Sequence, residues 1–226
     1  MMQYEWILFD ADETLFHFDA YEGLRRMFAS FNVDFSPDDF THYQSINKPL
    51  WVLYQDGKIT ARELQETRFN GWAKTLSVSA QQLNDAFLQS MADICKLLPG
   101  AQDLLDALQG KVKLGIITNG FTALQTIRLE RTGLINRFDL LVISEEVGVA
   151  KPDSAIFEHA FERMQHPEKH RILMVGDNPH SDILGGINAG IHTCWYNAIN
   201  AEKPRDITPH TEVSSLQALQ AWLLPA

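Results

Sequence analysis

The stretch EWILFDADET, residues 5–14, decides the fold class. Its first half, residues 5–9, is a short, nearly continuous run rich in branched and aromatic side chains. A strand of a parallel sheet covered on both faces reads this way. Its second half sets two carboxylates, Asp10 and Asp12, directly past that strand. Ligands of open α/β sheets bind beyond the carboxyl ends of strands, so two acids at i and i+2 converge on one site if the chain turns there. Four more runs of the same kind follow at 112–118 (VKLGIIT), 140–144 (LLVIS), 172–176 (ILMVG) and 193–196 (TCWY). Segments with helical spacing lie between them, at 101–108, 121–132 and 153–164. Strands alternating with helices predict an α/β fold with a doubly wound parallel sheet and right-handed crossovers.

One interval breaks the alternation. From 17 to 96 no strand is predicted, and helical candidates succeed one another at 21–31, 37–54, 60–76 and 79–95. Ser36-Pro37-Asp38-Asp39 reads as an N-cap with proline and acids in the first turn, where the helix dipole favours negative charge. The expected organisation is a split α/β core, 1–16 and 97–226, carrying a helical insertion at 17–96. Residues 202–210 read as a surface loop before a last short helix at 215–223.

Composition excludes several functions. The 226 residues carry a formal charge of −10, which repels a phosphate backbone and argues against nucleic-acid polymers. With 45% hydrophobic and 21% charged residues the chain has material for a globular core. No run approaches the roughly 20 apolar residues of a membrane span, and residues 1–10 lack the basic region of a signal peptide. Cys95 and Cys194 are too few for a disulfide framework or a cysteine zinc site. The expected setting is cytoplasmic.

The remaining strand ends supply more chemistry. Thr118-Asn119-Gly120 closes the second run with a hydroxyl and an amide ahead of a helix, a turn that can offer donors to an anion. Lys151 precedes Pro152. The fourth run ends in Gly176-Asp177, and Asp182 follows five residues later. Taken singly, each is a turn former, a helix cap or a solvated lysine. Together they put four acids, one lysine and one hydroxyl on a single sheet edge. Carboxylates so gathered repel unless a cation neutralises them, and hard oxygen ligands favour Mg²⁺ over zinc. An aspartate can attack phosphorus and form an acyl phosphate. A second can protonate the departing alkoxide and later deprotonate water.

These segments, Asp10-Ala11-Asp12-Glu13-Thr14, Ile117-Thr118-Asn119-Gly120, Lys151-Pro152 and Gly176-Asp177 with Asp182, resemble the four ordered motifs of the haloacid dehalogenase (HAD) superfamily. The resemblance implies a Rossmann-like HAD core with an inserted helical cap at 17–96. It implies Asp10 as nucleophile, Asp12 as general acid/base, and Thr118 and Asn119 holding the phosphoryl group. Lys151 would bridge nucleophile and phosphate. Mg²⁺, or Mn²⁺ in its place, would sit on Asp10, Asp177 and the backbone carbonyl of Asp12, with Asp182 behind. Glu13 stands where many relatives have glycine. With Asn47-Lys48-Pro49-Leu50-Trp51 and the run 144–152 (SEEVGVAKP), it makes the chain similar to the bacterial pyrimidine 5'-nucleotidases.

That subgroup implies hydrolysis of uridine or thymidine monophosphates. A sugar-phosphate or phosphoglycolate phosphatase and a phosphomutase are the alternatives with the same chemistry. A dehalogenase would not need Asp12, Asp177 and Asp182, and a non-catalytic phosphoryl sensor would have lost the nucleophile or the acid. Candidate substrate-reading residues are His17 at the hinge, with Asn47, Lys48 and Trp51 sharing a helix face with Tyr54. The expected partner is a small phosphorylated metabolite.

Overall fold

The computed structural model describes residues 3–225. In chain order it runs β1 (Trp6–Phe9), α1 (Ala20–Ala29), α2 (Pro37–Gln55), α3 (Ala61–Thr67), α4 (Asn70–Leu76), α5 (Ala80–Asp93), α6 (Ala101–Leu108) and β2 (Lys113–Thr118). There follow α7 (Thr122–Arg131), β3 (Leu140–Ile143), α8 (Ser144–Val147), α9 (Ser154–Arg163), β4 (Ile172–Gly176), α10 (Leu184–Ala189), β5 (His192–Tyr196), β6 (Thr211–Val213) and α11 (Leu216–Leu223). No helix among the described residues is long and apolar enough to cross a membrane.

The six strands of the described residues are all parallel, in the order β3-β2-β1-β4-β5-β6. The chain builds outward from β1 in one direction and then returns to build outward from β4 in the other. The reversal falls between β1 and β4, where an open α/β sheet leaves a crevice. Every residue of β1 is buried, as its unbroken apolar run requires. Trp6 and Leu8 share a cluster with Ile156, Phe157, Ala160 and Phe161 of α9. By strand alternation Ile7 and Phe9 face the opposite layer. This is the doubly wound parallel sheet the alternation predicts.

Details differ from the sequence reading. The helix expected over 60–76 is two helices, α3 and α4. The Phe69 N–H bonds Glu66 O at 3.1 Å, an i→i−3 contact that tightens the turn, and the adjacent Arg68 and Phe69 are both buried. The three-residue β6 was not anticipated, because it is a strand only through its pairing with Cys194–Tyr196.

The chain divides into two compact units: Met1–His17, Lys96–Gly120 and Leu129–Ala226 form unit 1, and Phe18–Cys95 with Phe121–Arg128 form unit 2. Unit 1 holds the sheet. Where its first segment ends, Phe16 pairs with Leu97 and the His17 N–H bonds Lys96 O at 3.0 Å. Unit 2 is helical. Ser36 with Asp39, Thr60 with Glu63 and Ser79 with Gln82 form capping boxes that start α2, α3 and α5. Its interior is aromatic, with Phe28 stacked on Phe35 at 4.7 Å and Tyr43 beside Phe69 and Phe87.

Candidate active site

The carboxyl edge of unit 1 gathers side chains from four chain segments. Asp10 follows β1, and its N–H bonds Val175 O of β4 at 2.8 Å. Beyond it the chain turns back on itself: the Leu15 and Phe16 N–H groups both reach Ala11 O, at 3.0 and 2.9 Å. Glu13 occupies the left-handed region of this turn, with φ of 55°. That conformation favours glycine, which gives the departure at position 13 a physical cost. The Glu13 carboxylate lies 3.3 Å from His17 Nδ1.

Lys151 is the centre of the site. It is 1% exposed, and its ammonium contacts Asp10 Oδ1 at 2.7 Å, Asp182 Oδ1 at 2.8 Å and Ile117 O at 2.6 Å. Burial alone would lower its pKa, but the Asp10 and Asp182 carboxylates outweigh burial and hold it above the ordinary value. Asn119 positions it. The amide Nδ2 donates to Lys151 O at 2.8 Å, and Oδ1 accepts from the Lys151 N–H at 2.7 Å. Both ends of the Asn119 side chain are thus engaged with the Lys151 backbone, so the geometry gives Asn119 the part of placing the cation.

Asp182 is equally constrained. Its Oδ1 accepts from the Ser181 hydroxyl at 3.0 Å, and its Oδ2 from the Asn178 N–H at 3.0 Å. A Cβ on residue 176 would collide with this carboxylate, so the close approach requires Gly176. Asp177 is set by two residues the sequence reading gave no role. Thr14 Oγ1 lies 3.3 Å from Asp177 Oδ1 and 3.1 Å from its backbone nitrogen, and Trp195 Nε1 donates to Asp177 O at 2.8 Å. Thr14 is part of the first motif and was legible by position; nothing in the sequence marks Trp195.

Asp10, Asp177 and Asp182 each bring a carboxylate oxygen within 4.8 Å of the others. Burial first, then Asp182 and Asp12, push the Asp10 carboxyl up to about 7 despite the opposing pull of Lys151. Burial, Asp182 and Asp10 push Asp177 up to about 8. One ammonium therefore leaves this group with negative charge still to be neutralised. An all-oxygen donor set with a charge deficit fits a hard divalent cation such as Mg²⁺. The Asp12 side chain is outside the set of three, and Thr118 is buried at the end of β2.

The residues expected to read substrate fall in both units. His17 stays with unit 1, paired with Glu13. In unit 2, Trp51 lies 5.7 Å from Tyr54 and 5.5 Å from Phe121. Asn47 Oδ1 is buried without a hydrogen-bond partner, and Lys48 is exposed.

Residues 4–190 match the haloacid dehalogenase-like hydrolase family model. The chain is 58% identical over 222 residues to the pyrimidine 5'-nucleotidase YjjG of Escherichia coli strain K12, covering 98% of this chain and 99% of that one. It is 37% identical over 226 residues to the pyrimidine 5'-nucleotidase PynA of Streptococcus pneumoniae, covering 96% and 94%. The magnesium-bound crystal structure of the HAD hydrolase YfnB from Bacillus subtilis superposes with a TM-score of 0.85 at 32% identity, over 98% of this chain and 99% of that one. The chain belongs to the haloacid dehalogenase-like hydrolases.

Proposed function

We propose that the protein is a Mg²⁺-dependent pyrimidine 5'-nucleotidase working through an aspartyl-phosphate. The observation that carries the chemistry is Lys151 bound at once to Asp10 and Asp182 beside a charge-deficient carboxylate group. The two nucleotidase relatives support the substrate. Asp10 attacks phosphorus, and the bond from phosphorus to the ester oxygen breaks. Asp12 gives its proton to the departing 5'-oxygen, and the nucleoside leaves. Asp12 then takes a proton from water as that water attacks the phosphoaspartate, releasing phosphate and restoring Asp10. Lys151 favours the ionised form of Asp10 and opposes the charge on the phosphoryl oxygens, while Thr118 and the Asn119 segment hold the group. Asp10, Asp177 and the Asp12 carbonyl would hold the metal, with Asp182 fixing Lys151 behind it. Bound Mg²⁺ would add positive charge for the transferring group.

The helical insertion, expected over 17–96, serves in this reading as a cap that selects the substrate through His17, Asn47, Lys48 and Trp51. The enzyme would act on cytoplasmic nucleotide pools. A kinetic screen over nucleoside and sugar monophosphates with Mg²⁺ tests it. UMP, dUMP and dTMP are expected to lead in kcat/KM. A sugar phosphate or phosphoglycolate in first place would replace the nucleotidase reading while leaving the phosphatase chemistry standing, and transfer to a sugar hydroxyl would mark a mutase.

A further inference from the structure

Arg68 stands at the break between α3 and α4 and is 3% exposed. Its terminal nitrogens donate to neutral oxygens, Nη2 to Asn84 Oδ1 at 2.5 Å and Nη1 to Tyr43 Oη at 3.4 Å. Asn84 is held from behind, donating from Nδ2 to Gln65 Oε1 at 2.7 Å. Arg68 Nε is buried with no partner, and no carboxylate among the described residues pairs with the guanidinium. The rings of Phe69, Phe87 and Phe121 lie 5.2, 5.1 and 5.2 Å from its central carbon. Aromatic faces recover part of the cost of taking an ion out of water, not the whole. Burial accordingly pushes the Arg68 pKa down.

Two more partnerless buried atoms belong to the same unit, Asn47 Oδ1 and Gln125 Nε2. Phe121 connects all three. Its ring neighbours both Arg68 and Trp51, and Asn47 precedes Trp51 by one helical turn. Gln125 follows Phe121 by a turn, its N–H bonding Phe121 O at 3.2 Å. Arg128 holds Gln125 Oε1 from Nε at 2.9 Å and from Nη2 at 2.5 Å, which leaves the amide nitrogen as the open end. Unit 2 therefore carries a buried open donor on Arg68, a buried open acceptor on Asn47 and a second buried open donor on Gln125. The edge of uracil or thymine runs carbonyl, N–H, carbonyl. Cytosine replaces one carbonyl by an amino group and the N–H by a lone pair.

We propose that Arg68 is a specificity residue that donates from Nε to a carbonyl oxygen of a uracil or thymine ring. Asn47 Oδ1 and Gln125 Nε2 take the neighbouring positions on the same edge, and Trp51 and Phe121 supply the aromatic surface. This rests on the nucleotidase reading and adds residues that read the base. An open buried donor rejects a ligand that cannot satisfy it far more strongly than an apolar wall does.

The test compares kcat/KM for UMP, CMP, ribose 5-phosphate and p-nitrophenyl phosphate in the wild-type enzyme and in Arg68→Met. In the wild type UMP should exceed CMP at least tenfold. In Arg68→Met both the UMP to CMP ratio and the UMP to p-nitrophenyl phosphate ratio should fall about tenfold or more, chiefly through KM. Equal loss on all four substrates makes Arg68 a packing residue and overturns this inference alone. Equal wild-type turnover of ribose 5-phosphate and UMP overturns the nucleotidase reading and this one with it. Product inhibition of the wild type needs no variant. Uridine should inhibit p-nitrophenyl phosphate turnover more tightly than cytidine, and equal inhibition rejects the proposal.

Discussion

Lys151 and Arg68 are both cations taken out of water, and the two units surround them differently. In unit 1 the ammonium meets two carboxylates and a carbonyl at 2.6–2.8 Å, so its charge is matched at contact distance. In unit 2 the guanidinium meets an amide oxygen, a phenol and three aromatic rings, and one nitrogen has no partner. Matched charge gives a rigid centre whose members depend on one another. Unmatched charge is poised to take a ligand oxygen. The first arrangement suits a site where a phosphoryl group is made and broken, the second a site where a neutral ring is recognised.

The sharpest break with this comparison would come at the nucleophile. Asp10→Asn should reduce turnover by about four orders of magnitude or more and abolish acid-stable phosphoenzyme, checked by trapping with labelled substrate. Asp12→Asn should slow turnover by about 10²–10⁴-fold. Metal binding by calorimetry should largely survive there, because the ligand assigned to residue 12 is its backbone carbonyl.

Stability separates the two cations next. Lys151→Met leaves Asp10 and Asp182 buried with nothing opposite and should cost about 3–5 kcal/mol. Arg68→Met strands only neutral groups and should cost less than about 2 kcal/mol. Denaturant unfolding of both variants in metal-free buffer checks the contrast, and equal losses would erase it.

A smaller effect concerns pH. Asp10 and Asp177 titrate at about 7 and about 8 in the folded chain, against an ordinary 3.8. The folded state thus holds protons that the unfolded state has released. Their contribution to stability is fully present below the ordinary carboxylate range and is lost as pH rises through 7 and 8. The melting temperature of the metal-free protein should fall between pH 6 and 8.5. Mg²⁺ should raise it more at pH 8.5 than at pH 6, by scanning fluorimetry. The smallest effect is at Glu13: Glu13→Gly relieves the left-handed backbone and loses a half-exposed pair with His17, a net gain of up to about 1 kcal/mol in thermal unfolding.

What the sequence made legible follows from how local each cause is. Residues 5–14 announce a buried strand and two acids because burial on both faces and a strand-end turn are written in consecutive residues. The pairing of Asn119 with Lys151 spans 32 positions, and that of Thr14 with Asp177 spans 163; no periodicity encodes either. For the same reason the sequence shows Asn119 at a strand end but not its side-chain pairing with the Lys151 backbone. β6 has three residues and no pattern of its own. The split of the 60–76 helix, and with it the burial of Arg68, depends on the aromatic interior into which α3 and α4 pack.

The membership of residues 121–128 in unit 2 carries a consequence for how such chains diversify. Residues 18–95 enter and leave beside each other, where Phe16 pairs with Leu97, so by connectivity alone that stretch could be exchanged for another like a cassette. Yet Phe121, Leu124 and Arg128, which the chain supplies only after β2, are buried and cluster with it. A transplanted insertion would inherit this foreign octapeptide as part of its own interior. A successful graft must therefore carry two separate pieces of sequence, and swapping only the contiguous one should leave a bare aromatic scar.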